Sequence, residues 1–135
     1  MQRFTAGSFL LAIALFIACC GVCEAAEDMR FVDAEDDTGY YVDAASIARV
    51  SGTEFDAVVA VIKAAENRLY LYHTRFNHQA GTYRIFDARV EVYDTKEILR
   101  TMQGMDAPQV YTPASPMRGI VDFIEELLAE KQQTA

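Results

Sequence analysis

Carboxylates crowd one short stretch of this chain, Asp33-Ala34-Glu35-Asp36-Asp37-Thr38-Gly39. Oxygen ligands at alternate positions are what a calcium loop offers to a hard cation. The pattern departs where it matters. Counted from Asp33, the sixth place is Thr38, where the sharp turn of such a loop needs glycine, and the twelfth is Ala44, where a bidentate glutamate is needed. The expectation is an acidic, solvated loop leading into the first hairpin, with no metal. His73 and His78 are the two histidines of the chain. Their odd offset sends extended side chains to opposite faces, and without a third ligand nearby they predict no zinc site. His73 reads as a residue of the sheet surface.

Nucleophilic chemistry is no better supplied. Gly-x-Ser-x-Gly is absent, and Cys19, Cys20 and Cys23, the only cysteines, fall in the N-terminal apolar segment. Ser115 is best explained as a helix cap. Glu54, Glu66 and Glu91 could transfer protons, but their spacing does not pair them. The reading is therefore a non-enzymatic chain: no catalytic, cofactor-binding or metal residue is assigned, no cofactor is expected, and binding residues are left unassigned. The net charge of −8 also argues against nucleic acid, whose phosphates call for clustered Lys and Arg, and against an anionic membrane surface.

The cysteines matter through their address. Arg3 makes a short positive start, Phe9 to Cys20 has the length of a signal-peptide core, and Cys23-Glu24-Ala25 puts small residues where a signal peptidase cuts. Residues 1–25 are expected to be removed, giving an exported chain in the periplasm or at the cell surface. A spanning helix needs roughly 18 or more apolar residues, and Glu24, Glu27 and Asp28 come too soon. The alternative is a lipoprotein: Phe16-Ile17-Ala18-Cys19 offers Cys19 for lipidation, although Phe16 stands where leucine is usual and Cys20 follows directly. Only that anchor would bring the mature domain to a membrane. Cleavage after Ala25 leaves residues 26–135 as a single domain without cysteine, held by its core alone.

The elements read as antiparallel strands followed by one helix, an α+β fold built from hairpins. Tyr40-Tyr41-Val42 is a short strand, and Asp43 caps one helical turn after it. Ile47 to Val50 is extended, and Ser51-Gly52 signals a turn. Glu54 to Ala65 is apolar on both faces, which predicts a central strand. Leu69 to Asn77 puts Tyr70, Tyr72 and Phe76 on one face, and Thr82 to Tyr93 returns beside it with a bulge or change of face near Phe86. Asp94 to Glu97 makes a loop before Ile98 to Met102, the expected last strand. Ala26 to Arg30 and Gln132 to Ala135 read as loose ends.

The closing helix is signalled by Ser115 as N-cap and Pro116 at the first helical position. Met117, Ile120, Val121, Ile124, Leu127 and Leu128 then keep helical spacing, a stripe for docking onto the sheet. The aromatic face with Tyr70, Tyr72, Phe76 and Tyr83 is expected to pack beneath that helix or in a dimer. Should the helix cover the other side, these residues become a contact surface.

Tyr40-Tyr41-Val42-Asp43 with Ser46-Ile47, the long strand ending near Lys63, Val92-Tyr93-Asp94 opening a hairpin, and Pro113-Ala114-Ser115-Pro116 before the amphipathic helix together resemble the surface-adhesin protein E family of bacterial envelope proteins. The similarity runs from about Phe31 to Leu128. It implies an antiparallel sheet with one C-terminal helix, at times a homodimer, and in the best-known members the binding of host matrix and serum proteins. Many members resemble one another in a cysteine near the middle of the domain and another in the last helix. This chain has Asn77-His78 and Ile124 to Leu128 at those places, so the disulfide joining helix to sheet is absent. The expected function is a non-catalytic binding or adhesion module contacting a protein partner, a host matrix or envelope component. The alternative is a periplasmic housekeeping protein, either a small-ligand carrier or an unrecognised enzyme.

Overall fold

Runs of β-branched and aromatic residues separated by short polar turns become strands paired with their chain neighbours, because hairpins close the smallest loops. In a computed structural model, which describes residues 27–134, the strands are β1 (Met29–Glu35), β2 (Thr38–Asp43), β3 (Ala48–Arg49), β4 (Glu54–Lys63), β5 (Arg68–Asn77), β6 (Thr82–Val92), β7 (Ile98–Gln103) and β8 (Gln109–Val110). One helix, α1 (Pro116–Gln133), closes the chain. The α+β expectation holds: the sheet is antiparallel with order β1-β2-β4-β5-β6-β7, β3 pairs with β4, and β8 pairs with β6. The expected signal segment, Cys19 included, lies outside the described residues.

β4 is interior, as its two apolar faces require. Phe55, Ala57 and Val59 point to the helix side and are at most 1% exposed, while Ala60, on the opposite parity, belongs to a second cluster with Leu69 and Leu71. The bulge falls at Phe86: His73 pairs with Asp87 and Thr74 with Ile85, so Phe86 is the extra residue. It restores Tyr83 and Ile85 to the helix side and aims Phe86 the other way.

Three expectations about the strands need correction, and a fourth at the C-terminus, where Gln132 and Gln133 are the last residues of α1 and not a loose end. Met29 and Arg30 are not a loose end but the start of β1, and Asp33, Ala34 and Glu35 finish that strand, leaving Asp36 and Asp37 as the turn. The backbone ladder to β2 decides this despite the polar side chains, since an edge strand needs only one packed face. Asp36 takes φ 54°, a left-handed conformation that aspartate tolerates. Thirdly, β7 is not last. β8 follows it because Thr82 and Tyr83 extend beyond β7 and leave ladder groups to be paired.

The Asp43 corner is a hydrogen-bonded knot. Asp43 Oδ1 accepts from the backbone N–H groups of Ala45 at 3.0 Å and Asp28 at 2.9 Å, fixing both the 3-10 turn Ala44–Ser46 and the start of β1. Ser46 Oγ donates to the Asp43 carbonyl at 2.7 Å and accepts from Val58 N at 2.8 Å. The Tyr-Tyr-Val-Asp and Ser46 pattern thus has a structural task, turning the chain from β2 into β3.

Helix α1 starts as its sequence prescribes: Ser115 Oγ accepts from Met117 N at 3.2 Å. Ile120, Val121 and Ile124 are buried, with Met117 and Leu128 packed beside them. Phe123 also reaches this core, whereas the expected Leu127 is only half-buried. Ser115→Ala is expected to cost about 1 kcal/mol, seen as a lower urea midpoint at unchanged slope, and Ser115→Asp should retain stability. An unchanged midpoint in the alanine variant would remove the cap from the account.

Candidate functional site

The sheet has two faces and the helix covers one. Val42, Phe55, Val59 and Phe76 form the floor under Ile120 and Ile124. The Phe55 and Phe76 rings lie 5.6 Å apart at 36°. The aromatic stripe therefore packs on the helix side: Phe76 is fully buried, Tyr72 and Tyr83 pack against the same core, and Tyr70 stacks 6.3 Å from Tyr72.

Burial pushes the Tyr72 and Tyr111 hydroxyls above the usual tyrosine range, with Tyr70 adding to the shift at Tyr72 and acidic groups of α1 adding to it at Tyr111. A folded-state pKa raised above the unfolded value means that the unfolded chain loses these protons first. Stability is complete below about pH 10, where unfolded tyrosines titrate, and falls as pH rises towards the folded values. Chemical denaturation between pH 9 and 11 should show that fall, and Tyr72→Phe with Tyr111→Phe should make it shallower. An identical slope in the double variant refutes these two groups as its source.

The face away from the helix is divided. Towards the β3 end it is polar: Arg75 Nε and Nη2 donate to the two carboxylate oxygens of Asp56, directly opposite on β4, at 2.8 and 3.0 Å. This pairing raises the Arg75 pKa further above its ordinary value. The guanidinium groups of Arg75 and Arg84 stand 5.1 and 5.6 Å from the centre of the Phe86 ring. His73 packs edge-on to the same ring, 5.4 Å away, and its Nδ1 is 3.3 Å from Asp87 Oδ2.

Towards the turn Asp36-Asp37 the same face is apolar and hollow. Ala60, Leu69 and Leu71 make the floor of a groove of about 520 Å³, with Met29, Tyr41 and Ile62 along its sides. One carboxylate belongs to this floor: the Glu91 side chain is 7% exposed, and Arg89 Nε donates to its Oε2 at 2.7 Å. Glu27 and Lys96 stand at the rim, the latter with its ammonium 4.4 Å from the centre of the Tyr93 ring.

The structure does not assemble the other candidates. Glu54 begins β4, Glu66 is exposed in the 3-10 turn Ala64–Glu66, and Glu91 lies in the groove, so the three carboxylates form no acid–base pair. The acidic residues at 33–37 are split between β1 and its turn, and among the described residues no three His, Cys, Asp or Glu side chains converge on a metal position. His78 leaves the sheet on the helix side: it stacks on Phe55 at 6.2 Å, and its Nδ1 lies 3.0 Å from Glu125 Oε1. That contact joins the β5–β6 turn to the helix. Among the described residues no helix is long and apolar enough to cross a membrane.

Compared with protein families, with curated proteins and with solved structures, the chain finds no match. The fold class is that of an antiparallel sheet with a single C-terminal helix. The groove is the feature that the sequence reading missed. Its signal was present in the second apolar face of β4, Val58, Ala60 and Ile62, because one helix covers only one side of a sheet.

Proposed function

We propose that the chain is an exported protein of the bacterial envelope, periplasmic or surface-exposed, whose domain is a non-catalytic binding module. Its contact surface is the sheet face away from α1. Its partner is a protein, either a host matrix component or another envelope component, and a homodimer is a further use of the same kind of surface. The observation that carries this reading is an apolar cluster, Ala60, Leu69 and Leu71, that lines an open groove with no described helix or strand laid across it. Arginine and aromatic side chains beside it, Arg75, Arg84 and Phe86, are of the types enriched where proteins meet. The resemblance to the protein E family supports the same reading.

Protease shaving of intact cells tests it together with binding to immobilised matrix proteins. Cleavage from outside and saturable binding that Leu71→Asp abolishes are expected. Protection from the protease, with no binding across a broad panel, defeats the adhesion reading. The second reading, a periplasmic carrier of a small ligand, is favoured by the groove itself, whose size falls in the range of roughly 300–1,000 Å³ typical of ligand sites.

A further inference from the structure

We propose that the groove on the uncovered sheet face binds an amphipathic monocation, a molecule with an extended apolar body ending in an ammonium group. The inference rests on the carrier reading and names its ligand class. Ala60, Leu69 and Leu71 supply a floor that water wets poorly, and an alkyl body laid there removes apolar surface on both sides from solvent. A purely apolar ligand would leave one feature unexplained. Glu91, a carboxylate, belongs to this floor, its side chain more than nine-tenths buried.

Among the described residues the hydrogen bond made to the Glu91 carboxylate is that from Arg89 to Oε2. No fully buried side-chain oxygen among those residues lacks a partner, so Oε1 meets the open space of the groove and can accept a further N–H. An ammonium placed there makes a charge-assisted bond shielded from bulk water, which is stronger than its neutral counterpart. Tyr41 borders the same space, and the Tyr93 ring beside it already holds the Lys96 ammonium 4.4 Å from its centre. Arg89 already offsets Glu91 and Lys96 stands in the lining with Glu27, so the preference for an ammonium rests on the second oxygen of Glu91 and not on a local surplus of negative charge. A carboxylate head has no proton to donate to Oε1.

The test uses protein purified from the envelope of cells expressing the full chain. It is titrated with decylammonium, decanoate and decanol below their aggregation concentrations. Decylammonium should bind at one site about tenfold or more tightly than either of the others, as expected for one added charge-assisted bond. Glu91→Gln should remove that preference and leave decanol binding unchanged. In the unaltered protein, amide resonances of Ala60, Leu69 and Leu71 should shift, a readout that does not depend on the variant folding. Equal affinity for the three heads, an undiminished preference in Glu91→Gln, or shifts confined to the apolar space beneath α1 near Met117 overturns the proposal. Failure of the amine to bind while a matrix protein binds this face overturns the ligand class and leaves the contact reading standing. Amine binding without any protein partner does the reverse.

Discussion

A chain ended after Ser115 should fail to unfold cooperatively. Helix α1 brings Ile120, Val121 and Ile124, each no more than 2% exposed, onto the sheet. Burying side chains of this size contributes about 1.5–3 kcal/mol each, so the three together approach the roughly 5–15 kcal/mol that holds a whole domain folded. Their removal also wets Val42, Phe55, Val59 and Phe76 from above. The second face offers no compensation, because its groove is already open. The expected result is a broad, featureless thermal transition with lost near-ultraviolet dichroism and strong binding of a hydrophobic dye. A sharp transition within 10 °C of that of the full chain, about what 1–2 kcal/mol produces in a domain of this size, would falsify the assignment of the helix as part of the core.

Phe76→Ala should be the most damaging of the single substitutions considered, at about 3–5 kcal/mol. The ring is fully buried between β4 and α1, with Phe55 directly opposite it in the ladder and the two rings 5.6 Å apart. Removing it leaves a cavity that two strands fixed by their hydrogen bonds cannot close, and forfeits an aromatic pair worth about 0.5–1.5 kcal/mol beyond its area. The melting temperature should fall by roughly 15 °C or more. Val110→Ala is the matched control. Val110 is 75% exposed, and its truncation should change stability by no more than about 0.5 kcal/mol. Comparable losses in the two variants would show that Phe76 is not a core residue.

The residues differ in how plainly the sequence declared them. Ser115-Pro116 and the spaced Ile120 and Ile124 specify a helix and its buried side through chain neighbours alone, and both are found where expected. Phe86 was legible as a bulge because the apolar parity of β6 reverses there. The start of β1 was not: Arg30, Asp33 and Glu35 read as solvated, and only the ladder to β2 makes Met29 to Glu35 a strand. Glu91 looked like any strand carboxylate. Its burial depends on Leu69 opposite it in β5 and on Tyr41 and Met29 in strands more than forty residues earlier.

By itself, then, the sequence determined the class of fold, the central place of β4, and the cap and apolar stripe of α1. These are consequences of residue type and of spacing within ten or so positions, where local hydrogen bonding and periodicity act. Tertiary structure alone decided which face the helix covers, that His78 meets Glu125 at 3.0 Å, and that the uncovered face is hollow around Ala60, Leu69, Leu71 and a buried Glu91. The physical reason is register. Alternation along a strand says which side chains share a face, but only the pairing of five strands says what stands beside them, and a groove exists where those neighbours leave space.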